Sequence, residues 1–449
     1  MNSNHRARRF FSVALTAVLM LALAACATEY PNTTFGRSTE FNRQIDDLWD
    51  MLLLLGTIVF IIVEVILVYA IWRYRYREGS PEPKHVHGNT TLEIAWTLIP
   101  AIILVVIAVP TVKTIFKTQA KAPAGALEVE VIGHQWWWEF RYPQLGVVTA
   151  NDLYLPIGRT VNFSLKTVDV LHSFWVPQLG GKRDLINNHV NHLWWTPDSV
   201  KQAVAWNGFC AEYCGDSHAN MRFRSFVVPQ ADFDSWVAHQ KSPAAFGATA
   251  PAAGAAPATV ATAAVASLPP VTGQPAPATS PIPGAATRPN DSATHDPAMH
   301  GGTTTPVVAT GYTYPLDKLP AYVVPTTPLP EKLDFPANLQ GDAARGMKTY
   351  SSSACIGCHM IAGNPMSIGV AGPNLTHMAT RSTIGAGLYP NDAAHMARWI
   401  KNAKRMKPGS LMPPLGKDQI DPSTGKKAMT GTLTDQQIAD IVAYLMALK

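Results

Sequence analysis

Cysteine is scarce in this chain, which has five in 449 residues. The five fall into separate short motifs, so no disulfide framework remains and a disulfide-stabilised scaffold is excluded. A second scarcity is local. Between about residues 242 and 314, aromatic and charged residues are few, and alanine, proline, threonine and glycine dominate. Such a composition cannot bury a core, so it predicts a disordered linker, which we place at residues 241–330.

The chain has 47% hydrophobic residues and a mean hydropathy of +0.04, which excludes a uniformly membrane-embedded protein. Its first 25 residues read as a signal peptide, because arginines precede an apolar run that is too short to span a bilayer. The sequence Leu23-Ala-Ala-Cys26 matches a bacterial lipoprotein cleavage box. We therefore expect Cys26 to become the lipidated first residue, with ordinary cleavage at the neighbouring alanines as the alternative.

Two apolar segments in residues 26–120, at about 49–72 and 91–116, are long enough to cross a hydrocarbon core of about 30 Å. They predict a transmembrane helical hairpin. The basic residues of the connecting loop favour a cytoplasmic loop, and the exported leader places both flanks in the periplasm. Glu64 lies in the middle of the first span, where an ionisable group is costly, and we expect it to pair with a donor on a partner subunit.

Soft metal ligands are concentrated in one stretch, Cys210-Ala-Glu-Tyr-Cys214-Gly-Asp-Ser-His218-Ala-Asn-Met221. Thiolate, imidazole and thioether donors favour copper, and two thiolates four residues apart can bridge a pair of ions. A structural zinc site and a disulfide are the alternatives, and methionine argues against zinc. A further strong ligand should lie upstream, and His172 fits that position.

With these residues, the stretch from about 40 to 240 resembles subunit II of cytochrome c oxidase. The resemblance implies a cupredoxin-like, all-β domain at residues 125–240 with a binuclear copper site. It also implies that the carboxylate of Glu212 reaches a magnesium or manganese ion at the interface with subunit I. The implied copper ligands are the bridging Cys210 and Cys214, the terminal His172 and His218, the weak axial Met221, and the backbone carbonyl of Glu212.

The resemblance extends to two further residues. Trp136, in Gly133-His134-Gln135-Trp136-Trp137-Trp138, would be the point where electrons reach the copper pair. Because successive strand residues face opposite sides, at most one or two of these tryptophans can pack in a core, and we expect Trp136 to be exposed. Glu93 would lie at the mouth of a proton path into subunit I, whereas a solvated carboxylate at a helix start remains the alternative.

The sequence Cys355-Ile-Gly-Cys358-His359 is an attachment motif for a c-type haem, with His359 as the proximal iron ligand. A thioredoxin-like redox pair is the alternative, but no βαβ pattern surrounds the motif. Residues 331–449 resemble a class I, all-α cytochrome c, and Met412 in a Met-Pro context is the expected sixth ligand. Thr434-Asp-Gln-Gln437 predicts a capping box before a terminal helix.

Charge differs between the two predicted redox domains, because residues 125–240 have more acidic than basic side chains and residues 331–449 the reverse. We therefore expect the domains to attract each other. In this hypothesis the linker lets the haem domain swing, and it docks transiently near Trp136. The basic side chains expected to make the contact are Lys401, Lys404, Arg405 and Lys407.

The predicted architecture is thus multidomain: a membrane hairpin, a β-sandwich, a linker and a cytochrome c. It resembles subunit II of a bacterial caa-type respiratory oxidase. That resemblance implies electron transfer from a periplasmic donor, such as a cytochrome c or a quinol–cytochrome c reductase, through the haem and copper to subunit I, coupled to proton translocation. Subunits I and III and the inner membrane are the expected partners, without nucleic acid. The alternative is the subunit through which electrons reach a nitric oxide reductase.

Overall fold

The computed structural model describes residues 12–13, 15–20, 32–79, 81–82, 85, 87–244 and 311–449. Cys26 lies outside the described residues, as do most of the predicted leader and residues 245–310 of the predicted linker. Described residues of the predicted hairpin form two long helices, α1 (Glu40–Arg73) and α2 (Thr90–Thr118). Mean hydropathy reaches 3.0 in α1 and 2.5 in α2, and the most apolar window of each is unburied. Both can therefore cross a bilayer.

The first turns of α1 begin before the predicted span and pack on the next domain. Thr39 caps the helix by accepting from the Asn42 amide, and its hydroxyl also donates to the Leu179 carbonyl at 2.6 Å. Asn42 Nδ2 donates to the Pro177 carbonyl at 3.0 Å, and Arg43 pairs with Asp198 at 2.6 Å. The membrane hairpin is therefore joined to the extramembrane part by specific polar contacts as well as by the chain.

Residues 125–241, here called the sandwich domain, contain two five-stranded sheets and one helix. The strands are β1 (Leu127–His134), β2 (Trp137–Tyr142), β3 (Val147–Ala150), β4 (Asp152–Pro156), β5 (Val161–Thr167), β6 (His172–Trp175), β7 (Arg183–Leu185), β8 (Asn191–Trp195), β9 (Val204–Cys210) and β10 (Arg222–Val228). One sheet has the order β3-β2-β1-β5-β8 and the other β4-β10-β9-β6-β7. Only β1 with β5 and β4 with β10 pair in parallel.

Alternation of apolar and polar residues explains how the sheets pack. In β1, Leu127, Val129 and Val131 are fully buried, while the two glutamates between them are partly exposed. Aromatic rings fill the space between the sheets. The ring of Phe174 stacks on that of Phe223 at 5.1 Å, an arrangement that contributes beyond the area buried. A terminal helix, α3 (Gln230–Lys241), closes one side of the core.

The chain resumes at Gly311 on the surface of the sandwich domain. The Tyr314 amide donates to the Tyr154 hydroxyl at 3.1 Å, and Tyr314 itself is buried. Further on, Asn207 Nδ2 donates to the Tyr322 carbonyl at 2.8 Å. Residues 311–323 therefore belong to the packed structure, although the sequence interpretation extended the linker to residue 330. Three tyrosines in this short stretch provide the apolar surface that the preceding segment has little of.

Residues 331–449, here called the helical domain, contain four helices around a second core. Gly346 allows helix α4 (Ala343–Ser351) and helix α7 (Asp435–Leu445) to cross closely, because a Cβ atom there would lie 1.9 Å from the Asp440 carbonyl oxygen. The predicted capping box of Thr434 and Gln437 is confirmed at the start of α7. The helices are α4 (Ala343–Ser351), α5 (Cys355–Cys358), α6 (Ala393–Met406) and α7 (Asp435–Leu445), and the two-residue strands are β11 (Thr383–Ile384), β12 (Tyr389–Pro390), β13 (Ile420–Asp421) and β14 (Lys426–Lys427).

Candidate metal centre

Two strands and one loop bring the predicted copper ligands together. Cys210 ends β9 and His172 begins β6, and these antiparallel strands pair at Phe174 and Cys210. The loop after β9 carries Cys214 and a single 3₁₀ turn, His218–Asn220. Met221 follows, immediately before β10. The four residues of the sequence motif therefore converge with an upstream histidine through strand pairing.

The donor atoms form a compact group. The two sulfur atoms of Cys210 and Cys214 are 3.7 Å apart, too far for a disulfide bond of about 2.05 Å. His172 Nδ1 is 3.8 Å from the Cys210 sulfur, and His218 Nδ1 is 3.6 Å from the Cys214 sulfur. The Met221 sulfur lies 3.8 Å from that of Cys214. Two thiols, two imidazoles and a thioether around one point fit copper better than zinc.

Electrostatics favour a charged sulfur in this group. The pKa of Cys210 is lowered to about 4, first by its hydrogen bond with Cys214 and then by contacts with His172 and backbone groups, against the effect of burial. The same hydrogen bond and burial raise the pKa of Cys214. Their contact therefore favours the thiolate form at Cys210. A thiolate is the form that binds a soft metal ion.

Asp169, which sequence reasoning missed, holds His172 in place. Its Oδ1 atom is 2.8 Å from His172 Nε2, which leaves Nδ1 facing the sulfur atoms. Burial opposes the imidazolium, but Asp169 and Cys210 outweigh it and raise the pKa of His172. Carboxylates in this position fix the orientation of metal-binding histidines. The sequence feature that could have identified Asp169 is its position, three residues before His172.

Glu212 presents two different groups. Its carbonyl oxygen is 3.2 Å from the Cys210 sulfur, as expected for a backbone ligand. Its side chain is exposed, with Oε1 accepting from the Tyr213 amide at 3.2 Å. The carbonyl therefore faces the sulfur atoms while the carboxylate lies at the surface, where a second ion or a partner protein can reach it.

The three consecutive tryptophans have three different environments. Trp138 is fully buried beside Phe174 and Phe223, and Trp137 stacks on His134 at 4.1 Å. Trp136 Nε1 donates to the Cys214 carbonyl at 2.9 Å. The expectation that Trp136 is exposed was wrong. Its side chain is half-buried, because a loop of the helical domain lies against it.

The helical domain presents the haem-attachment motif on α5 and the residue after it. His359 Nδ1 donates to the Pro373 carbonyl at 2.8 Å, so Nε2 is the nitrogen left for a metal. Burial lowers the pKa of His359 and keeps the imidazole neutral, as a metal ligand must be. Gly372 lets the backbone approach the ring, since a Cβ atom there would lie 2.6 Å from it.

The surroundings of this motif fit a large apolar cofactor. Cys358 is exposed and Cys355 half-buried, and both are free thiols. Several large apolar side chains of the domain are strongly exposed, among them Ile368 (75%), Val370 (79%) and Leu411 (77%). Met412, next to Leu411, packs partly buried against the core of this domain. Exposed apolar side chains beside free thiols match a haem group, which would cover them.

The sandwich and helical domains meet through buried polar contacts. Arg224 is 3% exposed and donates to the carbonyls of Val323 and Gly387 at 2.9 and 3.0 Å. The Arg222 amide donates to the Ala386 carbonyl at 3.2 Å. Burial raises the pKa of Asp152 to about 6, although Arg381 and Arg224 oppose that shift. Charged side chains therefore lie inside the contact, bonded mainly to backbone carbonyls.

The basic cluster expected to dock near Trp136 has a different role. Lys401 pairs with Asp435 at 3.0 Å and Lys404 with Asp421 at 2.8 Å, both inside the helical domain. Arg405 donates to backbone carbonyls of the same domain. Only Lys407 crosses to the sandwich domain, where Nζ donates to the Trp136 carbonyl. Three of the four side chains were thus assigned wrongly, because their partners, two carboxylates and two backbone carbonyls, lie in their own domain.

The two membrane glutamates lie apart from the metal centres. Glu93 is exposed in the first turn of α2, which Asn89 caps by accepting from the amides of Thr91 and Leu92. Glu64 is half-buried in α1 and lines an apolar surface cavity of about 390 Å³ with Tyr69 and Trp72. The structure brings neither residue near a protein donor among the contacts it describes.

Comparison with known proteins gives three family matches. Residues 35–114 match the transmembrane domain of cytochrome c oxidase subunit II, and residues 144–228 match its periplasmic domain. Residues 343–449 match the cytochrome c family. These matches confirm the predicted fold classes of the hairpin, the sandwich domain and the helical domain.

Similar individual proteins cover most of the chain. Cytochrome c oxidase subunit 2 of Alkalihalophilus pseudofirmus is 27% identical over 96% of this chain and 95% of its own length. The Bacillus subtilis protein of the same name is 35% identical, over 51% of this chain and 68% of its own. Among solved structures, the periplasmic domain of cytochrome oxidase subunit II from Bradyrhizobium japonicum is 26% identical, covering 27% of this chain and 97% of that one, with a TM-score of 0.26.

Proposed function

Because this chain belongs to the cytochrome c oxidase subunit II family and ends in a cytochrome c domain, we propose that it moves electrons from its own haem to its own copper site. The chain is a subunit of an oxidoreductase, and it is a membrane protein with periplasmic domains. Family membership also implies association with subunit I of a haem-copper oxidase. The proposal concerns the route between the two metal centres and the residues that form it.

The contact of Trp136 carries the proposal. Its indole donates to the carbonyl of Cys214, a copper-site residue, and its ring lies against Gly409 of the helical domain. Gly409 is three residues before Met412. One side chain thus touches both redox domains. In this route Trp136 is the bridge between them, and the bound haem and copper supply reversible one-electron chemistry.

Donor geometry supports the proposed copper ligands, and the spacing of the attachment motif supports the proposed haem ligands. We assign copper to His172, Cys210, Cys214, His218, Met221 and the Glu212 carbonyl. We assign the covalent haem bonds to Cys355 and Cys358, and the axial iron positions to His359 and Met412. If His359 and Met412 both held the iron, the haem would have no site for oxygen and would serve electron transfer. Oxygen reduction then takes place on subunit I.

Two carboxylates extend the proposal to the partner subunit. The exposed Glu212 side chain provides a hard oxygen ligand suited to a magnesium or manganese ion shared with subunit I. Glu93 lies exposed near the start of a membrane helix, where its carboxylate serves the mouth of a proton path into subunit I. Proton translocation by the assembled oxidase is part of this proposal.

The remaining assignments concern location and partners. The proposed location is the bacterial inner membrane, with α1 and α2 spanning it and Cys26 lipidated. Subunit III and a periplasmic donor, either a cytochrome c or a quinol–cytochrome c reductase, complete the proposed set of partners. The haem of the helical domain receives the electron from that donor, since the loop against Trp136 covers the direct approach to copper.

Replacing Trp136 tests the route. In the assembled complex, Trp136→Phe should slow electron transfer from haem to copper after rapid reduction of the haem. Trp137→Phe is the matched control, because Trp137 stacks on His134 and does not contact the helical domain through any described bond. Metal analysis should give a pair of copper ions and one c-type haem per chain. Equal transfer rates in the two variants, or a single zinc ion, would overturn the proposal.

Copurification of the tagged chain tests its place in an oxidase. The expected large partner is a haem-copper subunit that reduces oxygen. Recovery of a nitric oxide reductase instead would show that the same electron-transfer route serves another terminal reaction. The haems of the copurified partner, identified by their pyridine spectra, distinguish these outcomes.

A further inference from the structure

The ring of Trp136 lies against two glycines from different domains. A Cβ atom on Gly215, which follows Cys214, would lie 3.0 Å from the Trp136 ring. A Cβ atom on Gly409 would lie 2.5 Å from the same ring. Both glycines also have positive φ angles, +108° and +76°, which other residues rarely adopt. The backbones of the two domains therefore approach one indole as closely as atoms allow.

Two polar side chains hold the loop of residues 407–409, here called the interface loop, in this position. Lys407 Nζ donates to the Trp136 carbonyl and, at 3.2 Å, to the Gly385 carbonyl. Ser217 Oγ, next to the copper ligand His218, donates to the Pro408 carbonyl at 2.5 Å. Lys407 is 3% exposed and Ser217 is fully buried. If the domains separated, water would have to replace these buried hydrogen bonds. The bonds therefore favour one alignment of the two domain surfaces.

Burial distinguishes Lys407 from the other basic residues near it. Its neighbours Lys404 and Arg405 are satisfied within the helical domain, as described above, so they do not hold the domains together. Arg222 and Arg224 act from the opposite side and donate to the carbonyls of Ala386 and Gly387. The contact thus depends on hydrogen bonds to backbone carbonyls from both domains, with few cross-domain ion pairs among the described residues.

We propose that Lys407 and Gly409 are positioning residues, which keep the helical domain docked on Trp136 so that haem-to-copper electron transfer runs through a fixed contact. This inference rests on the proposed function of Trp136. In each transfer one electron leaves the haem iron, which is oxidised, and one copper pair is reduced. No covalent bond forms or breaks and no proton moves. In this arrangement the haem domain stays docked on the sandwich domain, in contrast to the transient docking expected from the sequence.

The substitution Gly409→Ala tests this with a closely matched control. Gly425 has a similar φ of +67° in the same domain, but nothing lies within 4 Å of a Cβ atom there. Gly409→Ala and Gly425→Ala therefore carry similar backbone strain, and only the first adds an atom against Trp136. The readout is hydrogen exchange at the Arg222 amide, which is bonded to Ala386 only in the docked arrangement.

In the full oxidase, Gly409→Ala should raise exchange at Arg222 about tenfold, which corresponds to about 1.4 kcal/mol of lost docking free energy. Haem-to-copper transfer should slow in the same variant. Gly425→Ala should leave both measurements as in the parent protein. Equal exchange and equal transfer rates in the two variants would overturn the inference. Haem absorption in each variant verifies that the helical domain has folded.

Lys407→Met provides a second, independent substitution. It keeps the apolar length of the side chain and removes the donor, whereas Lys417→Met makes the same change at an exposed position. Exchange at Arg222 should rise in Lys407→Met alone. Because the docking bonds are buried, raising the ionic strength should change exchange little in the parent protein. A strong rise in exchange with salt would favour transient electrostatic docking and contradict the inference.

These outcomes separate the inference from the proposed function. If Trp136→Phe transfers electrons as fast as the parent protein while Arg222 remains protected, the route through Trp136 fails and the docking stands. If Gly409→Ala leaves Arg222 protected while Trp136→Phe slows transfer, the route stands and the positioning role fails. Each measurement therefore decides one of the two statements.

Discussion

The two metal-binding domains of this chain prepare their sites differently. In the sandwich domain the donor atoms of His172, Cys210 and Cys214 are buried and lie within 4.8 Å of one another. In the helical domain Cys358 of the predicted attachment motif is exposed, and Ile368 and Val370 present apolar surface. Paired strands can fix ligands in advance, whereas a small helical domain needs its cofactor to complete the core.

Loss of the haem should have the largest effect. Replacing Cys355 and Cys358 by alanine removes both attachment points, so the helical domain should lose its cooperative thermal transition. Replacing Cys210 and Cys214 by serine should remove copper and leave the sandwich domain folded. Circular dichroism and limited proteolysis of the full chain measure both. If the two domains respond alike to the loss of their cofactors, they do not differ in how far folding depends on the bound cofactor.

The core of the sandwich domain is the next target. Phe174 is fully buried and stacks on Phe223 and Trp195, and its strand pairs with Cys210. Phe174→Ala should lower the free energy of unfolding by about 3–5 kcal/mol and weaken copper retention. Denaturant unfolding measures the first effect and metal content the second.

Val168→Ala serves as the control for this substitution, because Val168 is 63% exposed and its truncation should change stability by less than about 0.5 kcal/mol. A loss below about 1 kcal/mol for Phe174→Ala would mean that the sheets do not fix the ligands in advance. The distinction between the two domains would then be smaller than the structure suggests.

Removing the hydrogen bond to His172 should have a smaller effect. Asp169→Asn keeps the size of the side chain and loses its charge, so copper affinity should fall about 10- to 100-fold while the fold persists. Competition with a chelator measures the affinity. Asp184→Asn makes the same change at an exposed position near the site and should leave affinity unaltered. Equal affinity in the two variants would remove Asp169 from the site.

The smallest effect concerns pH and the helical domain. Arg345 and the Asp342 amide hydrogen-bond to Asp440 and lower its pKa, with the Arg345 bond as the main cause. A depressed acid stabilises the fold above its unfolded pKa of about 3.9, and that contribution is lost as the pH falls through the native pKa. Because Arg345 is exposed, solvent screening keeps the effect small.

Unfolding of the full chain at a series of pH values from neutral to strongly acidic measures this contribution. The stability of the helical domain should decline at low pH in the parent protein, and Asp440→Asn should flatten that decline. Asp334→Asn, at an exposed position of the same domain, should leave it unchanged. A parallel decline in the parent protein and Asp440→Asn would contradict the assignment.

Local sequence patterns selected side chains that the structure brings close together at the candidate copper site, for a physical reason. Cys210, Cys214, His218 and Met221 lie within one loop between paired strands, and the haem motif occupies a single helical turn with the next residue. Such spacing constrains where side chains can go. His172 needed strand pairing as well, and the resemblance to a known family supplied it. The predicted two-helix hairpin and the capping box of α7 depended on equally local signals.

The contact between domains could not be predicted in this way. Lys407 and Trp136 are 271 residues apart, and nothing in either neighbourhood identifies the other. Counting charges predicted attraction but selected Lys401, Lys404 and Arg405, whose partners are supplied by the tertiary fold of their own domain. These partners are carboxylates for the two lysines and backbone carbonyls for Arg405. Exposure of Trp136 was likewise inferred without knowing that Gly409 covers it. Burial and pairing across an interface depend on surfaces that exist only after folding.

Described residues on both sides of the alanine- and proline-rich insertion are held by hydrogen bonds from their backbone amides. The Ala244 amide donates to the Ala362 carbonyl, and the Tyr312 amide donates to the Ser235 hydroxyl of α3. The described chain therefore leaves and resumes beside the same helix. With both ends fixed there, lengthening the insertion adds only a slowly growing loop-closure cost and leaves the spacing between haem and copper unaltered. Selection can vary its length or sequence while the redox geometry stays constant.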